Sequence, residues 1–141
     1  MNPSELERTL TELDHLRLTT LLTRTGDQRH LPPTFRALAD ILDLADIVPA
    51  SGIGADVITM RSLVHIEDGS SGARRKLTLA YPEDDLVQGG EWVSVLSPLG
   101  THLLGTRVGH EPWWQGPTGE LHRAKVLEVL YQPEAAGDHR L

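Results

Sequence analysis

Ser94-Val95-Leu96-Ser97-Pro98-Leu99-Gly100-Thr101-His102-Leu103-Leu104-Gly105-Thr106-Arg107-Val108-Gly109 changes character abruptly at its Ser-Pro step. Val93 and Val95 alternate with polar Ser94, as at the end of a half-buried strand, and Pro98 then breaks the ladder because it has no N–H to donate. Pro98 suits the first position of a helix and Ser97 the cap before it. Leu99, Leu103 and Leu104 share one face at i, i+4 and i+5, and Gly105 stops the helix. The unit is a strand, a Ser-Pro corner and a short leucine-faced helix, and Val108-Gly109 leads into the next extended run.

On either side of this unit the pattern is that of a sheet. Upstream, Val57 to Met60 is a short extended piece, and Leu63 to Ile66 alternates before a turn at 67–72. Leu77, Leu79 and Tyr81 alternate with Lys76, Thr78 and Ala80, the period of a strand with one buried face, and Pro82 ends it. An acidic loop from Glu83 to Gly90 precedes the strand Glu91 to Leu96. Downstream, Glu111 to Gln115 and Arg123 to Tyr131 read as a hairpin around Gly116-Pro117-Thr118-Gly119, with Val126, Leu127, Val129 and Leu130 as a mixed apolar run. Trp113 and Trp114, adjacent on a strand, point to opposite faces, so at least one lies near the surface. About five strands, mostly antiparallel, with one short helix across a face, make an α+β domain.

The first fifty residues are helical in pattern. Asn2-Pro3-Ser4-Glu5 opens a helix expected to run from about Pro3 to Arg24, roughly 33 Å at about 1.5 Å per residue. Leu6, Leu10, Leu13, Leu16, Leu21 and Leu22 form its apolar stripe, with Leu18 off it. The polar linker from Thr25 to Pro32 is short, so the second helix folds back antiparallel to the first. That helix starts at Pro33 or Thr34; Phe35, Leu38, Leu42 and Ala45 give it a seam, Ile41 and Val48 widen it, and Pro49 closes it. Leu10, Leu13, Leu38 and Leu42 are thus the expected seam of a short antiparallel coiled coil. The small residues from Ala50 to Asp56 read as a linker. The expected organisation is a helical hairpin over 1–49, a linker over 50–56 and a sheet domain over 57–141.

A chain of 141 residues holds one ordinary domain, or a small domain with an arm. Hydrophobic residues at 39% and charged residues at 23% are those of a globular protein, and the net charge of −7 gives no basic face for phosphate neutralisation. Arg74-Arg75-Lys76, the one small basic cluster, reads as a solvated strand entry. The absence of cysteine removes disulfides, thiol nucleophiles and Cys-based metal sites. No apolar run approaches the roughly 18 residues of a membrane span, and no signal-peptide pattern opens the chain, so a cytoplasmic protein is expected.

Little in the sequence promises catalysis. Gly100 to Gly105 has the glycine spacing of a phosphate loop but continues with Thr106-Arg107 where Lys and Ser/Thr are needed, so it is read as a helix. The seven histidines show no His-x-x-x-His pair and are read as scattered over the surface. Glu83-Asp84-Asp85 is read as a solvated loop cluster, and there is no Gly-x-Ser-x-Gly elbow. No catalytic residue, metal site or cofactor is expected, and the chain is read as a non-enzyme.

The Ser-Pro corner with its Leu-Leu-Gly helix resembles the C-terminal signature of the GreA/GreB transcription elongation factors. Tyr131-Gln132-Pro133-Glu134-Ala135-Ala136-Gly137-Asp138, Asp56 to Met60 and Leu79-Ala80-Tyr81-Pro82 resemble the regulator of nucleoside diphosphate kinase family (Rnk), a short-armed relative of those factors. The resemblance covers most of residues 56 to 138. It implies an FKBP-like sheet domain and a regulator that binds bacterial RNA polymerase as a monomer, without sequence-specific nucleic-acid or membrane binding. By the same resemblance Leu96, Ser97, Pro98 and Leu99 are the docking surface. In the Gre factors closely spaced acids at the coiled-coil tip help hold a catalytic Mg²⁺; here the tip offers Asp27 alone, between Arg24 and Arg29. Competition at the polymerase secondary channel without stimulation of transcript cleavage is therefore expected. The FKBP-like resemblance also implies an alternative, a prolyl-peptide-binding chaperone or isomerase. The scarcity of aromatic residues, 4% of the chain, opposes it, because such a pocket needs aromatic walls.

Overall fold

In the computed structural model, which describes residues 7–24, 33–84 and 91–137, residues 9–11 form a strand where the expected helix would run; its expected opening at Asn2-Pro3-Ser4-Glu5, with Leu6, lies outside the described residues. Strand β1 (Thr9–Thr11) pairs in parallel with β2 (Asp46–Val48), Leu10 opposite Ile47. Thr11 then caps helix α1 (Glu12–Arg24), its hydroxyl oxygen accepting the Asp14 N–H at 3.1 Å. Thr-x-x-Asp here has the spacing of a capping box, and it places the helix start well after the expected Pro3.

That later start changes which face turns inward. With Leu10 held in β1, the buried positions of α1 are Asp14, Leu18 and Leu22 at four-residue steps. Leu18 is fully buried, whereas Leu13 is 39% and Leu16 63% exposed. The expected stripe is corrected accordingly: Leu18 belongs to the core, and Leu13 and Leu16 face outward. Helix α2 (Pro33–Leu44) buries Leu38, Ile41 and Leu42 and ends before β2, so Val48 lies in a strand. His15, near the start of α1, donates a ring N–H to Leu42 O at 3.1 Å near the end of α2, as an antiparallel pair requires. The tip residues Asp27 and Arg29 lie outside the described residues.

The larger sheet holds five strands in the order β5-β4-β3-β7-β6. They are β3 (Leu63–Asp68), β4 (Arg74–Ala80), β5 (Glu91–Ser94), β6 (Trp113–Gln115) and β7 (Leu121–Tyr131). Three pairings are antiparallel, but β4 and β5 run parallel, Leu77 opposite Glu91 and Ala80 opposite Ser94. The sheet is therefore mostly antiparallel, as expected, with one parallel pair that makes it mixed. Register shifts between β3 and β7 break the alternation of β7 and account for its mixed apolar run. Val57 to Met60 contributes only a single bridge, Val57 to Arg107.

Helix α3 (Pro98–Leu103) is the helix read from the Ser-Pro unit. Its Leu103, with Leu104 just beyond, joins Leu18, Leu22, Leu38 and Leu42 from α1 and α2 and Val64, Leu77 and Val126 from the sheet in one buried cluster. Full burial of each such leucine is worth about 1.5–3 kcal/mol relative to exposure, so this shared cluster dominates the stability of the fold. A last turn, α4 (Pro133–Ala136), ties the motif at 131–134 to the one at 56–60. Gln132 Nε2 donates to Gly54 O and Val57 O, both at 2.8 Å, and the Thr59 hydroxyl donates to Glu134 Oε1 at 2.7 Å.

Candidate functional site: the Ser-Pro corner

The corner is fixed by short polar links between neighbouring residues. Ser97 Oγ donates to Ser94 O at 2.7 Å and accepts the Gly100 N–H at 3.1 Å, so one hydroxyl both closes the strand end and caps the helix. Ser94 Oγ accepts the Leu96 N–H at 3.1 Å. Beneath them Thr101 Oγ1 donates to Val95 O at 2.6 Å. Gly100 lies so close to the strand that an added Cβ would fall 2.0 Å from Ser94 O; no side chain fits there. Gly105, at φ +76°, turns the chain out of the helix, and its N–H donates to Ile58 O at 2.8 Å. With its backbone donors committed to the helix and its neighbours, the Gly100–Gly105 segment has none of the character of a phosphate loop.

What remains outside is a small projecting surface. Pro98 is exposed, Leu96, Ser97 and Leu99 are half-buried, and every residue from Gly100 to Thr106 is buried. The corner residues named from the sequence thus come together at one edge of the molecule, on a helix rooted in the core.

The far end of that helix is held by a residue the sequence reading passed over. Arg8, 3% exposed, donates from Nη1 to His102 O and Leu104 O, both at 2.9 Å, placing a cation where the helix dipole is negative. Burial lowers its pKa to about 10. His102 is also buried, which corrects the reading of the histidines as scattered surface residues. Its Nδ1 bonds Pro98 O at 2.8 Å, and its ring stacks on Trp114 at 5.1 Å, with His122 stacked on Trp114 in turn at 5.8 Å. Burial pushes the His102 pKa below its ordinary value. The neighbouring hollow, lined by Leu99, Trp114 and His122 among others, has a volume of about 160 Å³. That is small beside the roughly 300 Å³ and upward of ordinary ligand pockets and gives the prolyl-peptide alternative no support.

Arg74 and Arg75 are exposed and pair with Glu67 and Glu91, as a solvated strand entry should. Asp84, in contrast, is not a merely solvated acid: it accepts from Arg61 at 2.7 Å and from the Tyr81 N–H at 2.9 Å. Asp85 lies outside the described residues. Among the described residues no group of three His, Asp or Glu side chains is placed to hold a metal ion, and no helix is long and apolar enough to cross a membrane.

The sequence pattern described as "Transcription elongation factor, GreA/GreB, C-term" matches residues 53–131, a span that contains the sheet and the corner. The chain belongs to the GreA/GreB family. It is 40% identical over 109 residues to a regulator of nucleoside diphosphate kinase from Escherichia coli (strain K12), covering 77% of this chain and 79% of the relative. It is 31% identical over 93 residues to transcription elongation factor GreA from Solidesulfovibrio magneticus, covering 66% of this chain and 56% of that one. A solved structure described as a prokaryotic transcription elongation factor GreA/GreB from Nitrosomonas europaea superposes with a TM-score of 0.69 at 34% identity, over 90% of this chain and 100% of that one. These relatives are named as a regulator and as elongation factors.

Within this GreA/GreB-type chain the junction between α1 and the sheet is as elaborate as the corner. Asp14, 4% exposed, accepts the Met60 N–H at 3.0 Å and the Tyr81 hydroxyl at 3.2 Å. Burial, with the charge of Glu134 adding to it, raises its pKa to about 6. Burial likewise raises the pKa of Tyr81. Arg61 caps the arrangement, its guanidinium 5.0 Å above the Tyr81 ring and bonded to both oxygens of Asp84. Its φ of +65° is the one left-handed non-glycine conformation among the described residues. It sits third in the turn Thr59–Ser62, where the Ser62 N–H donates to Thr59 O at 3.1 Å and glycine is the usual occupant. Arg8 and Arg61 left no trace in the apolar periodicity; the Thr11-to-Asp14 capping spacing was the signal that would have found Asp14.

Proposed function

We propose that this chain is a regulator that binds bacterial RNA polymerase through Leu96, Ser97, Pro98 and Leu99, competing at the secondary channel without stimulating transcript cleavage. The observation that carries this reading is the exposure of Pro98 on a helix buried from Gly100 onward. A partner meets there a rigid apolar projection whose ordering cost is already met by the fold. The corner also lies within the span that matches the family. In this reading residues 1–49 are the arm, 57–141 the body and 50–56 the join between them, and the protein acts as a cytoplasmic monomer by binding alone.

The absence of cleavage stimulation rests on charge. Between Thr25 and Pro33 the only acid is Asp27, with Arg24 and Arg29 on either side. Holding a second metal ion and an attacking water takes convergent oxygen ligands, which one carboxylate flanked by cations does not supply.

Competition against a Gre factor for purified polymerase tests the docking surface. Pro98→Ala and Ser97→Asp each weaken binding roughly tenfold, as loss of a central contact does, while circular dichroism stays that of the parent. Asp is itself a good cap, so the second variant keeps the helix. Undiminished competition by both variants places the interface elsewhere. On backtracked polymerase the factor leaves the cleavage rate unchanged; acceleration that vanishes in Asp27→Ala overturns the non-catalytic reading.

A further inference from the structure

The last carbonyls of α3 find no N–H farther along the helix. The Gly105 N–H turns to Ile58 O, the Thr106 N–H to Leu103 O and the Val108 N–H to Asp56 O, which leaves the carbonyls of Thr101, His102 and Leu104 to be met from elsewhere. Arg8 meets them, its Nη1 standing 2.9 Å from His102 O and Leu104 O and 3.5 Å from Thr101 O. We infer that Arg8 is the positioning residue of the docking corner: it joins the root of α1 to α3, and polymerase binding at Pro98 depends on that joint. The inference deepens the polymerase reading and rests on it.

The guanidinium serves α3 and little besides. Arg8 Nε and Nη2 are buried with no hydrogen-bond partner, so the desolvation of the cation is offset at the α3 carbonyls and nowhere else among the described residues. Closed off from solvent, those two nitrogens offer no anion site. A displaced helix end would leave a buried cation without an acceptor, and α3 is confined to the position that faces it. The main chain ties the same two places together. Arg8 O accepts the Asp46 N–H at 2.9 Å, which fixes it to β2, and Thr9 donates its N–H to Gly105 O at 3.1 Å.

From this joint direct contacts lead on to the exposed surface. His102, whose carbonyl Arg8 holds, bonds Pro98 O through Nδ1 at 2.8 Å, and Trp114 backs its ring. Arg8, His102 and Pro98 thus run in sequence from the root of α1 to the exposed corner. A residue that only stabilises the fold acts on every element alike; one in this run acts on the corner first.

The full chain is compared with its Arg8→Met, Arg8→Lys and Leu22→Ala variants by amide hydrogen exchange and by competition against a Gre factor for purified polymerase. Leu22, 4% exposed and near the other end of α1, is the control for lost stability without a lost joint. In Arg8→Met the amides of Leu104, Gly105 and Thr106 exchange about tenfold faster relative to those of β3, and competition weakens about tenfold. Arg8→Gln carries the same expectation if Arg8→Met does not fold. Arg8→Lys returns a charged donor to the same carbonyls and stays within about threefold of the parent in both measurements. Leu22→Ala, at a temperature where it is folded, changes neither.

The inference is overturned if exchange at residues 104–106 rises no more than in β3, or if Leu22→Ala weakens competition as much as Arg8→Met does. It is also overturned if Arg8→Met competes like the parent while Pro98→Ala does not, in which case the docking surface stands without this joint. Undiminished competition by the Pro98 and Ser97 variants as well removes the docking reading itself, and this inference with it.

Discussion

Asp14 is a buried carboxyl whose ionised form the fold disfavours, and pH reveals the size of the effect. A carboxyl whose pKa rises from 3.8 unfolded to about 6 folded binds a proton more readily in the native state. Its contribution is complete below the unfolded value and disappears as pH climbs through the folded one. His102 works in the opposite sense. Its folded pKa is lowered, so its contribution is present above the ordinary histidine value and is lost as pH falls. Asp14→Asn removes the first effect and leaves the second. From about pH 4 to pH 7 the parent therefore loses about 2–3 kcal/mol relative to Asp14→Asn, read from urea denaturation of both proteins at each pH. A gap independent of pH would mean that Asp14 stays ionised in the fold.

At the scale of elements, α3 is the part most tightly bound to its surroundings. Gly100→Ala forces a methyl group against Ser94 O, so strand end and helix must separate. A loss of about 1–3 kcal/mol follows, with weaker competition for polymerase because Ser97 and Pro98 move with the helix. Paired denaturation and competition assays check both parts. This element was legible in the sequence because all its signals are local: Ser97 caps, Pro98 starts, Gly105 stops. Helix α1 was not legible in the same way. Its start depends on β1 finding β2 far along the chain, a pairing that leaves no periodic mark in three residues. With the start misplaced, Leu13 and Leu16 were assigned inward and Leu18 outward. The parallel pairing of β4 with β5 was hidden for a similar reason, since alternation fixes which face is buried but not the direction of a neighbour. The turn and cap of the corner could be read from its own residues; the supports behind it, Arg8 and His102, could not, because isolated polar residues in a core follow no period.

For the whole molecule the deciding feature is the single buried cluster that takes leucines from both helices and from the sheet. Leu38 is fully buried within it. A charge at that position is opposed by desolvation and a lost contact together, so Leu38→Asp lowers stability by more than about 3 kcal/mol. The loss falls on one transition. Far-ultraviolet circular dichroism and tryptophan fluorescence, with all three Trp residues at or beyond Trp92, are expected to shift together in urea. Separate midpoints would assign the helices and the sheet to independent folding units.

The place of β7 in the sheet has a consequence for synthesis on the ribosome. It lies between β3 and β6 and is made after every other strand, and the Gln132 and Glu134 contacts to the 54–59 segment come later still. At about 5–20 residues per second, roughly 3–10 s separate the emergence of β4 from that of the end of β7. Throughout that interval the β3 edge that β7 will cover is open, and the nascent chain depends on the exit surface and on chaperones until β7 arrives.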